Sequence, residues 1–260
     1  MPDTVDYTEV PHLQELLSYL PINPEDEEDI VNYVQNITNL IAVNYKYGQY
    51  QFAYFGIHLL YMTYIYCTAW KIGQIEPGRY RDAIVFARAY NGRERDLNIE
   101  EADSVFAYSL MPENDIEKLF KIIDLDRSQI SLVEDLVDTR NDMAHASGKF
   151  EILTEESYDA KANSVLSSMG VIHRCMDRLI RKWYGQVLLS FCKGEYEGYD
   201  DPKDFIIEQM IQTFKLSTNE LLVCNEMSVS SLITEHRGYE AKLKAFKKAL
   251  KEYCQEMGYI

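Results

Sequence analysis

From Thr154 to Phe191 apolar residues return on a helical period without interruption, far longer than any strand, so this stretch is one extended amphipathic helix. A helix of that kind buries a single stripe and requires other helices beside it, as in a bundle. The rest of the chain is read as supplying them. One helix is expected from Thr8 to Tyr19, ending before Pro21, and a second from the Asn23-Pro24 cap to about Tyr45. Gln49 to Ile72 form an aromatic third helix, and the Pro77-Gly78 turn starts another that reaches about Tyr90. A polar loop with Asn91, Gly92 and Arg93 follows, then a short helix within Asn98–Leu110, a clearer one over Pro112–Asp124, and one from Ser128 to about Ala146.

Gly194 to Pro202 has the composition of a linker. The expected organisation is therefore an all-α helical domain over 1–198 and an additional C-terminal helical subdomain over 199–260, separate from it or part of it. In the latter, Pro202–Leu216 reads as helix and Tyr239–Met257 as a lysine-faced amphipathic helix. Leu221–Thr234 fits either short helices or a hairpin, the second leaving room for a small winged or helix-turn-helix module. No internal repeat, glycine-rich phosphate loop or zinc pattern is visible.

Composition restricts the function classes. Hydrophobic residues at 47% and charged residues at 26% are those of an ordinary globular protein. The five cysteines, Cys67, Cys175, Cys192, Cys224 and Cys254, have neither metal-ligand nor redox spacing and read as thiols of a reducing cytoplasm. The opening Met-Pro-Asp-Thr-Val-Asp has no basic region and no apolar run, so no secretory leader is expected. Phe52–Tyr66 is apolar but short and interrupted by Gly56 and His58, which makes it a core helix and not a membrane span. Many of the 20 tyrosines crowd the first quarter and are expected at helix contacts with their hydroxyls at the rim.

The net charge of −16 opposes nucleic-acid binding at long range. RNA would have to enter at a local basic patch. Three are candidates: Arg79, Arg81, Arg88, Arg93 and Arg95; Arg174, Arg178, Arg181 and Lys182; and Lys242, Lys244, Lys247, Lys248 and Lys251. Each is equally readable as a solvated face paired with nearby acids.

The chemistry resides in Arg140-Asn141-Asp142-Met143-Ala144-His145. On a helical projection Val133, Leu136, Val137, Met143 and Ala144 share an apolar stripe with Arg140 in its middle. A guanidinium placed there either snorkels along apolar neighbours or faces a cleft or interface that supplies an anion. Glu134, Asp138, Asn141 and His145 form a polar ladder on the next face, where Asn141 can orient the imidazole. Arg140 and His145 lie about 140° apart on an ideal helix, so they flank one phosphate only if the helix distorts or two copies share a site.

The segment resembles the signature of the HEPN superfamily: an arginine, a polar residue directly after it, and a histidine separated from the arginine by four to six residues. Here the polar residue is Asn141 and four residues separate Arg140 from His145. No other histidine of the chain has an arginine in that register. The resemblance implies a HEPN-like helical bundle, a homodimer with a composite active site, and metal-independent ribonuclease activity of a toxin, abortive-infection or antiviral effector. Some members carry a tyrosine two residues after the histidine, modified by a partner nucleotidyltransferase; this chain has Ser147 there, so control by that route is not expected.

Cleavage by the substrate's own 2′-hydroxyl needs a base, an acid and positive charge on a phosphorane-like transition state. Two histidines and two arginines of a symmetric pair supply all three without a cofactor or metal. The candidate catalytic residues are thus Arg140, Asn141 and His145, with His173, Arg174 and Arg178 of the neighbouring long helix as candidate substrate contacts. In a purely structural role, Arg140 would pair with Glu134, Asp138 or another buried carboxylate, and His145 would cap its helix. Two further functions fit the same residues. One is a catalytically idle interaction module whose acidic surface docks a basic sensor or antitoxin. The other is a nucleotide-binding domain in which Arg140 holds a phosphate.

Overall fold

The computed structural model describes residues 7–21, 29–85, 99, 104–133, 136 and 152–260. These are overwhelmingly helical and contain no strand, only an isolated bridge between Pro21 and Ser217. The expected all-α class holds. Two compact units emerge, one from the described residues of 1–20 and 27–175, the other from those of 21–26 and 176–260. The stretch expected as a linker, 194–202, lies inside the second unit.

In the first unit the opening helix is broken. A 3-10 turn at Tyr7–Glu9 precedes a five-residue helix, α1 (Leu13–Leu17), with His12 between them in the left-handed region at φ 64°. Pro11 is the cause, since its ring obstructs the preceding turn and it has no N–H to donate. The next two helices, α2 (Asp29–Lys46) and α3 (Tyr50–Ile75), form a hairpin. Gly48, at φ 68°, closes α2: its N–H donates to the Tyr45 carbonyl at 2.9 Å while Gln49 N–H donates to that of Asn44 at 2.8 Å. That pair of bonds is a Schellman motif, and only a residue tolerant of positive φ fits it without strain.

α3 is apolar on all sides and buried on nearly all, the pattern of a central helix. Among the described residues no helix is long and apolar enough to cross a membrane. Around α3 lie α4 (Pro77–Ile84), a 3-10 turn at Val105–Leu110, α5 (Glu113–Ile116) with its 3-10 extension Glu117–Ile123, a helical stretch over 127–133 (α6), and α7 (Glu155–Lys193), whose residues to 175 belong here. Asp124, at φ 64°, ends the extension. Tyr61 and Ser168 share a hydroxyl hydrogen bond of 2.8 Å, and Tyr64 donates to the Met169 carbonyl at 3.1 Å, which fixes the register of α7 against α3.

Most tyrosines of the first quarter are half-buried or exposed, as expected of rim positions, but some depart from it. Tyr54, Tyr61, Tyr108 and Tyr158 are buried whole, as is Tyr184 in the second unit. Burial pushes the Tyr54 phenol up to about 12 and raises those of Tyr61, Tyr108, Tyr158 and Tyr184 as well. An unfolded tyrosine loses its proton near pH 10, whereas these keep theirs in the folded state. Stability is therefore unaffected by these groups below about pH 10 and falls as pH rises beyond it, by up to about 1.4 kcal/mol per pH unit for each tyrosine. Thiols raised by burial at Cys175, Cys192, Cys224 and Cys254 act in the same direction from the lower onset of a free thiol, so urea midpoints should begin to decline above about pH 8.5 and drop steeply by about pH 11.

The second unit is built on α7 from residue 176, with α8 (Pro202–Phe205), α9 (Thr218–Glu226), α10 (Ser230–Glu235) and α11 (Glu240–Glu256). Asp201 caps α8, accepting from Lys203 N–H at 2.8 Å, with Pro202 in the first helical position. The helix expected to run on to Leu216 continues instead as π-helix over Ile206–Thr213. Leu221–Thr234, which fitted helices or a hairpin, is helical. The aromatic centre is Phe205, in contact with Phe191 at 5.0 Å, Tyr196 at 4.7 Å and Phe246 at 5.8 Å between ring centres.

A buried capping box starts α9. Ser217 N–H donates to Glu220 Oε2 at 2.8 Å and Glu220 N–H donates to Ser217 Oγ at 3.3 Å. Ser217→Ala keeps the backbone N–H that serves the Glu220 carboxylate but leaves the buried Glu220 N–H without its acceptor, and should cost about 1–2 kcal/mol in chemical denaturation.

Candidate active site

Arg140, Asn141 and His145 lie outside the described residues, as do Glu134, Asp138, Val137, Met143 and Ala144. The helical stretch that precedes them in sequence is described over 127–133 and at 136. Asp126 caps it reciprocally: its carboxylate accepts from Gln129 N–H at 2.9 Å and from Ser128 Oγ–H at 2.6 Å, while its own N–H donates to Gln129 Oε1 at 2.8 Å. The Ser128 hydroxyl and then the Gln129 amide hold the Asp126 carboxyl below its ordinary pKa. This is a capping box two residues ahead of the expected start at Ser128, legible in the sequence as Asp126 followed three residues later by Gln129. Of the apolar stripe, Val133 and Leu136 are described and both are buried, as the helical projection requires.

The candidate substrate contacts on α7 are placed apart by environment. His173 is half-buried, its ring edge-on to Tyr19 at 5.5 Å and 78°. Arg174 is exposed in the first unit, and its charge partly offsets the burial that raises the Tyr19 phenol. Arg178 is exposed and belongs to the second unit.

Most of the remaining basic residues have structural work. Arg181 pairs with Asp177 through Nε at 2.6 Å and reaches Glu226 at 3.7 Å. On α11, Lys242 Nζ donates to the Cys192 carbonyl at 3.0 Å and Lys247 Nζ to the carbonyls of Cys224 and Asn225, capping the C-terminal ends of α7 and α9. Lys244 and Lys248 pair along the helix with Glu240 and Glu252. Lys242 and Lys247 are thus committed to helix ends, whereas Lys244, Lys248 and Lys251 stay at the surface. In the first cluster Arg79 and Arg81 are exposed on α4, while Arg88, Arg93 and Arg95 lie outside the described residues.

Four of the five cysteines are buried and Cys175 is half-buried. All five are free thiols, and burial raises the pKa of Cys175, Cys192, Cys224 and Cys254, which keeps them protonated. The first unit also encloses a carboxylate, Glu117, at 1% exposure.

In comparisons with known proteins, no family model, no curated protein and no solved structure matches this chain.

Proposed function

We propose that the chain is a metal-independent endoribonuclease of HEPN type, acting in the cytoplasm as a homodimer with a composite site, in the setting of a toxin or anti-phage effector. The observation that carries the reading is the Arg140-Asn141-Asp142-Met143-Ala144-His145 motif, unique in the chain, which follows in sequence a capped helical stretch with Val133 and Leu136 buried. Arg140 binds the scissile phosphate, His145 moves the proton of the attacking 2′-hydroxyl or of the leaving 5′ oxygen, and Asn141 positions the imidazole. The all-helical surroundings agree with this reading. Its test is cleavage of total RNA in EDTA by wild type and by His145→Ala, with fragment ends assayed for 2′,3′-cyclic phosphate.

A second reading is favoured by the net charge of −16 together with the diversion of Lys242, Lys247 and Arg181 into caps and ion pairs. On that reading the chain is a catalytically idle helical module that docks a basic regulatory or sensor protein. It predicts tight association with such a partner and no cleavage products from wild type.

A further inference from the structure

A cavity of about 330 Å³ lies in the first unit where α3 gives way to α4. We propose that it binds a nucleoside monophosphate, stacking the base on Trp70 and holding the phosphate with Arg81. Its volume falls at the small end of ligand sites, roughly 300–1,000 Å³, enough for one compact molecule and too little for a folded peptide.

The walls are built for a flat ring. Trp70 is half-buried and presents an indole, Pro77 and Ile99 add apolar surface, and Tyr80 and Tyr108 supply two buried rings. Those rings are held rigidly, because the Tyr80 and Tyr108 hydroxyls share a hydrogen bond of 2.5 Å. Tyr80 also rests on Gly73, where an added Cβ would stand 3.3 Å from its ring atoms, so the bare glycine backbone allows this close approach. Aromatic walls of this kind stack nucleobases of any identity.

The polar groups select an anion. Arg81 is exposed, lines the cavity and makes no ion pair among the described residues. No carboxylate is found among the described residues that line the site, although acids outnumber bases by 42 to 26 in the chain. A guanidinium offers phosphate a planar fork of donors. Gln74, also on the wall, carries both a donor and an acceptor, the pair needed to meet the edge of a base. Base ring, base edge and phosphate occur together in a nucleotide, either free or as the phosphorylated end of an RNA. The inference uses no residue of the Arg140–His145 motif and stands or falls independently of the ribonuclease reading.

The chain has two tryptophans, so Trp183→Phe leaves Trp70 as the sole indole fluorophore and changes only a stacked ring in the other unit. In that background AMP, GMP, CMP and UMP are titrated separately, each beside its nucleoside. At least one nucleotide should quench Trp70 saturably, with the nucleoside binding at least about tenfold more weakly. Arg81→Ala should weaken the nucleotide by about tenfold or more, and Arg81→Lys should recover part of the loss. A 5′-phosphorylated dinucleotide that competes identifies an RNA end as the source; one that does not identifies a free nucleotide. Absence of saturable quenching with all four, equal binding of nucleoside and nucleotide, or unchanged binding in Arg81→Ala overturns the proposal.

Discussion

On the proposed ribonuclease reading, His145→Ala should leave a folded protein whose cleavage of RNA in EDTA falls by about 10²- to 10⁴-fold, the contribution of one positioned acid or base. The variant also removes the 2′,3′-cyclic phosphate ends from the fragment pool, since these arise only from attack by the adjacent hydroxyl. The informative companion is Arg140→Ala. If Arg140 acts on the scissile phosphate, activity disappears while the thermal midpoint is kept. If it is instead the cation for a buried carboxylate, of which Glu117 at 1% exposure is an example in the same unit, the loss of one partner destabilises by about 3–5 kcal/mol. Circular dichroism melts beside the cleavage assay separate the two. Wild-type protein that is dimeric and folded yet leaves RNA intact, with no partner added, would transfer support to the docking-module reading.

Gly56→Ala should lower stability although alanine is the better helix former. The new methyl carbon would stand 2.4 Å from Ile41 Cγ1 and 3.0 Å from Leu40 Cδ2. Cγ1 is next to the Ile41 backbone and Ile41 is fully buried, so relief requires α2 and α3 to separate. Overpacking of this sort costs about 1–3 kcal/mol, against roughly 1 kcal/mol gained from helix propensity. A contact this short belongs at the upper end, leaving a net loss of about 2 kcal/mol, or roughly 4–8 °C in the thermal midpoint of a chain this size. Gly170→Ala in α7 is the control. Its nearest neighbours, Arg174 Nη1 and Tyr19 Oη, lie at 3.6 Å, an ordinary contact, so only the propensity gain remains and the midpoint should rise.

Long amphipathic and fully apolar segments were legible because their period repeats over many turns. Thr154–Phe191 corresponds to α7 at Glu155–Lys193, and Gln49–Ile72 to α3 at Tyr50–Ile75. Short-range exceptions were not. Pro11 sits four residues inside an otherwise helical pattern, and the break it imposes outweighs the periodicity around it. The π-helical stretch after Phe205 shifts hydrogen bonds without changing the apolar pattern, so the sequence carries no sign of it. Buried tyrosines look the same as rim tyrosines in sequence, because the phenol suits either place.

The candidate site was legible as a motif and as a buried stripe, the latter borne out at Val133 and Leu136. For two lysines of the third basic patch the structural role could not be read from the sequence. A lysine every few residues on a helix suggests a surface for phosphate, but which carbonyl an ammonium reaches depends on the partner helix. Lys242 and Lys247 reach the ends of α7 and α9, contacts separated by 50 and 23 residues of chain.

Those long-range contacts bear on the order in which the protein is made. Leu243, Phe246 and Leu250 of α11 are fully enclosed, and the same helix closes the exposed ends of two others. While synthesis proceeds from the amino end, Phe191, Phe205 and the carbonyls of Cys192, Cys224 and Asn225 must wait for residues beyond 240. A nascent chain halted before α11 would thus carry a bare aromatic surface of the kind that chaperones hold.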